Sequence, residues 1–139
     1  MTTTYPSSPR QEIEGLPYFP RMCEKIRLFA TNSLPEDLHD NLGKGMDLWT
    51  CDFLGIHYAD LKEVVLTSTS DGEALAWAKK EGQDRSPEEL AWFRSYLLNR
   101  GFRDDLSERL QQRVEESGFQ DRSDILTFCD YIDADEGRI

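Results

Sequence analysis

The last ten residues of the chain concentrate side chains that could do chemistry; they read DYIDADEGRI. Asp130, Asp133, Asp135 and Glu136 place four carboxylates within seven residues. Carboxylates at this density can bind a divalent cation, act as an acid and base pair, or form a solvated tail. We therefore treat Asp133, Asp135 and Glu136 as candidate catalytic residues and leave the three interpretations open.

A calcium-binding EF-hand is excluded for this segment, because the sixth position counted from Asp133 is Arg138 and not the glycine that the loop requires. Hard cations take carboxylate oxygens, so a Mg²⁺ ion held from one side is the one cofactor alternative. We assign no metal ligands and identify no other cofactor.

A second group of candidates lies near the start of the chain and carries positive charge. Arg10, Arg21, Lys25 and Arg27 are candidate residues for binding an anion or a small polar ligand. Arg21 and Lys25 are four residues apart, so a helix would place them on one face, while Arg27 points elsewhere. We expect one of the three C-terminal candidates to pair with Arg21 or Lys25 and to bring the two ends of the chain together.

The overall charge excludes two classes of partner. The formal net charge is −11; four basic and three acidic residues precede Pro35, whereas 12 basic and 24 acidic residues follow it. An acidic body repels phosphate backbones and anionic lipid surfaces. The segment CDFLGIHYADLKEVV has the spacing of a helix-turn-helix, but its second helix would offer Asp60, Lys62 and Glu63 to a DNA groove. We therefore predict no nucleic-acid and no membrane partner.

Other catalytic and structural motifs are missing from the sequence. His39 and His57 are not spaced as metal ligands, and there is neither a phosphate-binding P-loop nor a Gly-x-Ser-x-Gly elbow. Cys23, Cys51 and Cys129 are odd in number and far apart, so we expect buried thiols and no disulfide framework.

Apolar residues recur at helical spacing along most of the chain. We predict an all-α fold, an irregular compact array of six to eight short helices in a single domain. Residues 1–15, rich in Pro, Ser and Thr, are expected to form an extended N-terminal arm, and residues 16–139 the helical domain. No apolar run is long enough to cross a bilayer or to act as a secretion signal, so we expect a cytoplasmic protein.

Several helix ends are marked in the sequence. We expect the first helix to begin at Pro20 and to end near residues 32–34, and Ser86 with Glu89 to form a capping box. Asp47 and either Asp121 or Ser123 are expected to cap two further helices. The helix after Ser86 carries apolar residues on more than one face and is predicted to be the most buried.

Four segments together resemble one known family: FPRMCEKIRL, DFLGI, DGEALAW and DRSDILTFCDYIDADEGR. The chain is similar, from about Tyr5 to Arg138, to the bacterial family catalogued as domain of unknown function 5069. The resemblance implies a small helical domain and brings no activity with it.

Two functional hypotheses follow. The first is a protein-binding or self-associating module, which the abundant aromatic residues and the lack of a recognisable catalytic set favour. The alternative is a small enzyme or metabolite-binding protein that uses the Arg and Lys cluster with the C-terminal carboxylates. A cleft in which both charge signs converge would favour the second hypothesis, and a flat apolar patch the first.

Overall fold

The computed structural model describes residues 4–139. Within that range the fold is predominantly α-helical, which confirms the predicted class. The helices are α1 (Phe19–Ala30), α2 (Met46–Leu54), α3 (Tyr58–Thr67), α4 (Asp71–Glu81), α5 (Pro87–Leu98), α6 (Ser107–Glu116) and α7 (Phe128–Asp135), with a 3₁₀ helix at Glu36–Asn41 between α1 and α2. No helix in the described residues is both long enough and apolar enough to span a membrane.

A two-stranded hairpin precedes α1, and the sequence did not indicate it. Strand β1 (Glu12–Ile13) pairs antiparallel with β2 (Leu16–Pro17). The turn residues Glu14 and Gly15 both have positive φ, as a tight two-residue hairpin turn requires. The all-α prediction did not include these strands, because strands of two residues are too short to show an alternating pattern.

The segment before the hairpin lies against the helices. Residues 1–3 of the predicted arm lie outside the described range. In the described part, Pro6 and Pro9 are fully buried, and the backbone N–H and hydroxyl of Ser7 donate to the Glu24 carboxylate at 2.6 and 2.8 Å. The segment therefore adds polar groups to the face formed by α1 and α7.

Helix α1 is the centre of the fold. Pro20 stands in its first turn, where a missing N–H costs nothing, and seven of its twelve residues are buried. It ends at Ala30, slightly before the predicted range. The prediction that α5 is the most buried helix is wrong, because only Phe93 and Leu97 are buried there and the Trp92 side chain is 65% exposed.

One of the predicted helix caps is confirmed and two are wrong. The Ser86 capping box stands at the start of α5. Asp47, by contrast, lies inside α2 with a buried side chain. Helix α7 is capped not by Asp121 or Ser123 but by Thr127, which forms a capping box with Asp130.

The buried apolar residues form a large core and a small one. The large core surrounds α1 and includes Phe19, Met22 and Ile26, while the small core lies between α6 and α7. Phe128 packs against both. The region where the two cores meet is open to solvent on one side, and this opening is the cleft described next.

Candidate ligand-binding cleft

Arg21 and Glu136 form a buried ion pair that joins the two ends of the chain. The two guanidinium Nη atoms donate to the two carboxylate oxygens at 2.8 and 2.6 Å, and both side chains are 3% exposed. Burial lowers the pKa of Arg21, but the hydrogen bonds and charge of Glu136 outweigh burial and raise it. The predicted pairing of a C-terminal carboxylate with Arg21 or Lys25 is therefore confirmed.

Asp133, the second C-terminal candidate, is also held by basic side chains. Arg10 donates to it at 2.6 Å and also contacts Asp130, and Arg138 donates to it at 3.1 Å. The hydroxyl of Ser8 donates to the same carboxylate at 3.0 Å. Arg10 and Asp133 therefore satisfy each other and do not face an open site.

Lys25 belongs to a separate buried cluster with Asp47 and Tyr18. Lys25 Nζ lies 3.0 Å from Asp47 Oδ1 and 3.2 Å from the Tyr18 hydroxyl, which itself donates to Asp47 Oδ1 at 2.5 Å. The other Asp47 oxygen accepts from the Gly43 backbone N–H at 2.9 Å. Tyr18, Lys25 and the Gly43 backbone thus supply three hydrogen-bond donors to the buried carboxylate of Asp47.

Arg27, the last predicted anion-binding residue, lies away from the other three. Its Nη1 donates to Asp71 at 2.5 Å, so it ties α1 to the first turn of α4. All four predicted cations therefore have a carboxylate partner, and they do not converge on one anion site.

A cleft of about 660 Å³ separates α1 and the 3₁₀ segment from α6 and α7. This volume lies within the range of pockets that bind small molecules. Arg21 and Lys25 reach it from α1, and Tyr18 reaches it from the position just before that helix. The other lining side chains that bear on its chemistry are Asp37, Lys44, Trp49, Arg109, Arg113, Glu116, Phe128, Tyr131, Asp135 and Glu136.

Lys44, Arg109 and Arg113 are the cleft residues that sequence reasoning missed. Lys44 and Arg109 have no carboxylate within 4.0 Å in the part of the chain that the structure describes, and Arg113 reaches Glu116 only at 3.9 Å. The four-residue spacing of Arg109 and Arg113 was the only available signal, since it puts both on one face of α6.

Asp135 differs from its two C-terminal neighbours because it lines the cleft without accepting a hydrogen bond from any described residue. Its pKa is raised by partial burial, and the charges of Asp37 and Glu136 add to the effect. A carboxyl whose pKa is raised can take up and release a proton nearer to neutral pH. Among the three candidate acids, Asp135 is the one that lines the cleft without a basic partner among the described residues.

Other potential reactive groups do not contribute. All three cysteines are unpaired thiols in the core, and burial raises the pKa of Cys51 and of Cys129 to about 12, so neither is a thiolate nucleophile. His39 Nε2 lies within hydrogen-bond distance of the Leu34 carbonyl oxygen, at 2.9 Å. Within residues 4–139, no group of three or more His, Cys, Asp or Glu side chains is arranged to hold a metal ion.

The energetic weight of the Arg21 and Glu136 pair can be measured by a double-mutant cycle. Glu136→Gln should lower the free energy of unfolding by about 4 kcal/mol, because it leaves Arg21 buried without a counter-charge. Arg21→Met should lower it by about 3 kcal/mol, because Glu136 keeps Arg138 as a partner. The double variant should lose at least about 2 kcal/mol less than the sum of the two. Urea unfolding followed by circular dichroism measures all four proteins.

The exposed pair Lys79 and Glu14 provides the control for this cycle, since its side chains are 33% and 56% exposed. A coupling below about 1 kcal/mol is expected there. Additive losses at Arg21 and Glu136 would show that the buried contact does not stabilise the protein.

The stability of the protein should depend on the charge of Asp135 in a predictable direction. Its raised pKa means that ionisation is less favourable in the folded state, so folding stability falls as the pH rises above the ordinary aspartate range. Asp135→Asn should therefore unfold at higher urea than the parent protein at pH 7, by about 0.3 kcal/mol because solvent screens the charges. The difference should vanish below about pH 3, where Asp135 is protonated.

Asp124 gives a control of opposite sign. The hydrogen bond from Arg122 lowers the pKa of Asp124, so its ionised form favours folding above the ordinary aspartate pKa. Asp124→Asn should reduce stability at pH 7 and have no effect in acid. An Asp135→Asn variant that behaved like Asp124→Asn would contradict the assigned environment of Asp135.

Comparison with known proteins identifies the family and no activity. No curated protein matches the sequence. The profile of one family, described as a domain of unknown function (DUF5069), matches residues 3–138 of the 139. The predicted resemblance is thereby confirmed: the chain belongs to the DUF5069 family.

Proposed function

We propose that this protein binds a small polar molecule carrying an anionic group in the cleft between α1 and α6. The observation that carries the proposal is the position of Lys44 and Arg109, which line a concave site without a carboxylate partner among the described residues. The net charge is −11, and within residues 4–139 eleven of the sixteen Lys and Arg side chains have a carboxylate within 4.0 Å. Two cations without such a partner in one cleft favour a ligand as their counter-charge.

The remaining lining of the cleft suits a ligand of mixed character. Trp49, Phe128 and Tyr131 supply aromatic surface, and Asp37 and Asp135 supply carboxylates. Pockets for small molecules commonly combine an apolar lining with a few polar groups that fix orientation. Such a ligand would place its anionic group toward the cations and a hydrogen-bond donor toward Asp135.

The cleft also supports the catalytic alternative that the sequence raised. A carboxyl with a raised pKa, Asp135, stands in the same concavity as the cations. This combination of a perturbed acid and an anion-binding group is typical of active sites as well as of binding sites. Binding is the property to be tested first, because a reaction in the cleft would require it.

Thermal-shift measurements test the proposed binding. Inorganic phosphate and a panel of small phosphate and carboxylate compounds should raise the melting temperature relative to NaCl of equal ionic strength, since a ligand that binds only the folded state stabilises it. Arg109→Gln should weaken the binding by about tenfold, equivalent to about 1.4 kcal/mol.

The matched control is Arg103→Gln, because Arg103 lies on the loop before α6, outside the cleft, and stacks on Phe102. That variant should keep the full shift. A shift that survived Arg109→Gln unchanged, or no shift with any compound, would refute binding in the cleft.

Self-association is the second candidate function, and a different surface favours it. Trp92 and Tyr96 on α5 are 65% and 46% exposed, and they border a shallow apolar hollow with Phe53 and Phe93. Large exposed aromatic side chains that adjoin one another are typical of interaction surfaces. A second copy of the chain is the simplest partner that would cover them.

Sedimentation velocity over a range of protein concentrations tests this candidate. The sedimentation coefficient should rise with concentration in the parent protein and should not rise in Trp92→Gln. The control is Phe29→Gln, which removes another exposed aromatic ring, on α1. A monomer at every concentration would rule out self-association through α5.

A further inference from the structure

The cluster of Tyr18, Lys25 and Asp47 has features that the proposed binding does not require. Two of its members, Tyr18 and Lys25, line the cleft, while Asp47 is fully buried behind them. The Lys25 side chain is 4% exposed, and its amine lies within hydrogen-bond distance of both a carboxylate and a phenol. A buried amine beside a carboxylate that can act as a general base is one arrangement that activates a lysine nucleophile.

Tyr18 adopts a strained backbone to join this cluster. Its φ and ψ are 74° and −27°, in the left-handed region, which is costly for a bulky non-glycine residue. Such conformations cost about 1–3 kcal/mol and are concentrated at functional sites. In this conformation the Tyr18 hydroxyl lies 2.5 Å from Asp47 Oδ1 and 3.2 Å from the Lys25 amine.

The surroundings of Lys25 favour the neutral amine more than water does. Burial lowers the pKa of Lys25; Asp47 opposes this effect, and the neighbouring charge of Arg21 adds to it. Desolvation beside a second cation is a known way to activate a lysine as a nucleophile.

We infer that Lys25 forms an imine with the carbonyl group of a small aldehyde or ketone whose carboxylate or phosphate is held in the same cleft. This inference rests on the proposed function, because Lys44 and Arg109 would hold the anionic group. It adds a substrate class and a reactive residue to that function.

The step balances with the groups present. Lys25 transfers one proton to Asp47, and the neutral amine attacks the carbonyl carbon, forming the C–N bond while the π pair moves to oxygen. The nitrogen then gives a second proton to that oxygen. Tyr18 delivers the proton held by Asp47, the C–O bond breaks, and water leaves as the protonated imine forms.

Reductive trapping tests the inference. The protein is incubated with pyruvate or dihydroxyacetone phosphate and sodium cyanoborohydride, which converts an imine into a stable secondary amine. The chain contains five lysines, namely Lys25, Lys44, Lys62, Lys79 and Lys80, so peptide mass mapping can rank them. Lys25 should be modified at least about tenfold faster than Lys62, as expected for an activated amine.

Two variants serve as controls. Lys25→Arg retains a cation beside Asp47 and should leave the fold intact by circular dichroism, but it should abolish the dominant adduct. Arg109→Gln should slow trapping at Lys25 about tenfold while leaving modification of Lys62 unchanged.

Lactate and glycerol 3-phosphate, which lack the carbonyl, separate the failure of this inference from the failure of the proposed function. A dominant Lys25 adduct that depends on Arg109 supports both. If all four compounds raise the melting temperature but no probe modifies Lys25 faster than Lys62, imine formation is refuted and binding stands. If none of the four produces a thermal shift and Lys25 is not modified preferentially, both are refuted.

Discussion

The rest of the structure depends on the buried ion pair between Arg21 and Glu136. Removing two charges from water costs several kcal/mol per ion, so such a pair is stable only when its hydrogen bonds are completed. Here Arg21 also donates to the Ser7 carbonyl, and Arg138 donates to Glu136. The pair joins residues 115 positions apart, so it can form only when α7 packs beside α1. That packing is also what creates one wall of the cleft.

The same pairing explains how far the site could be predicted from the sequence. The spacing of Arg21 and Lys25 correctly indicated a shared face, and the C-terminal acids correctly indicated a partner for it. Sequence reasoning then treated the cations as an anion-binding cluster, but folding satisfies each of them with a carboxylate. Lys44 and Arg109 could not be recognised, because their significance depends on which surfaces face each other after the chain has folded.

The features of the fold that depend on neighbouring residues could also be predicted, and those that depend on residues distant in sequence could not. The Ser86 capping box was predictable because it depends only on neighbouring residues. The burial of α5 was not, since apolar residues on more than one face are compatible with a central helix or with a surface helix that exposes aromatic rings. The residue type of Asp47 fits a helix cap, whereas its actual partners, Tyr18 and Lys25, are distant in sequence.

Helix α1 combines two uses of buried charge that differ physically. Arg21 makes a bidentate contact with Glu136 and stays protonated at ordinary pH, because pairing with Glu136 outweighs burial and raises the pKa of Arg21. Lys25, one turn further along, has a lowered pKa and shares Asp47 with the Tyr18 hydroxyl, which donates a hydrogen bond to that carboxylate. The first arrangement fixes geometry, and the second is the one on which the inferred proton transfer depends. In that inferred chemistry the rigid pair of Arg21 and Glu136 would keep Lys25 in position at the cleft while the charge of Lys25 changes.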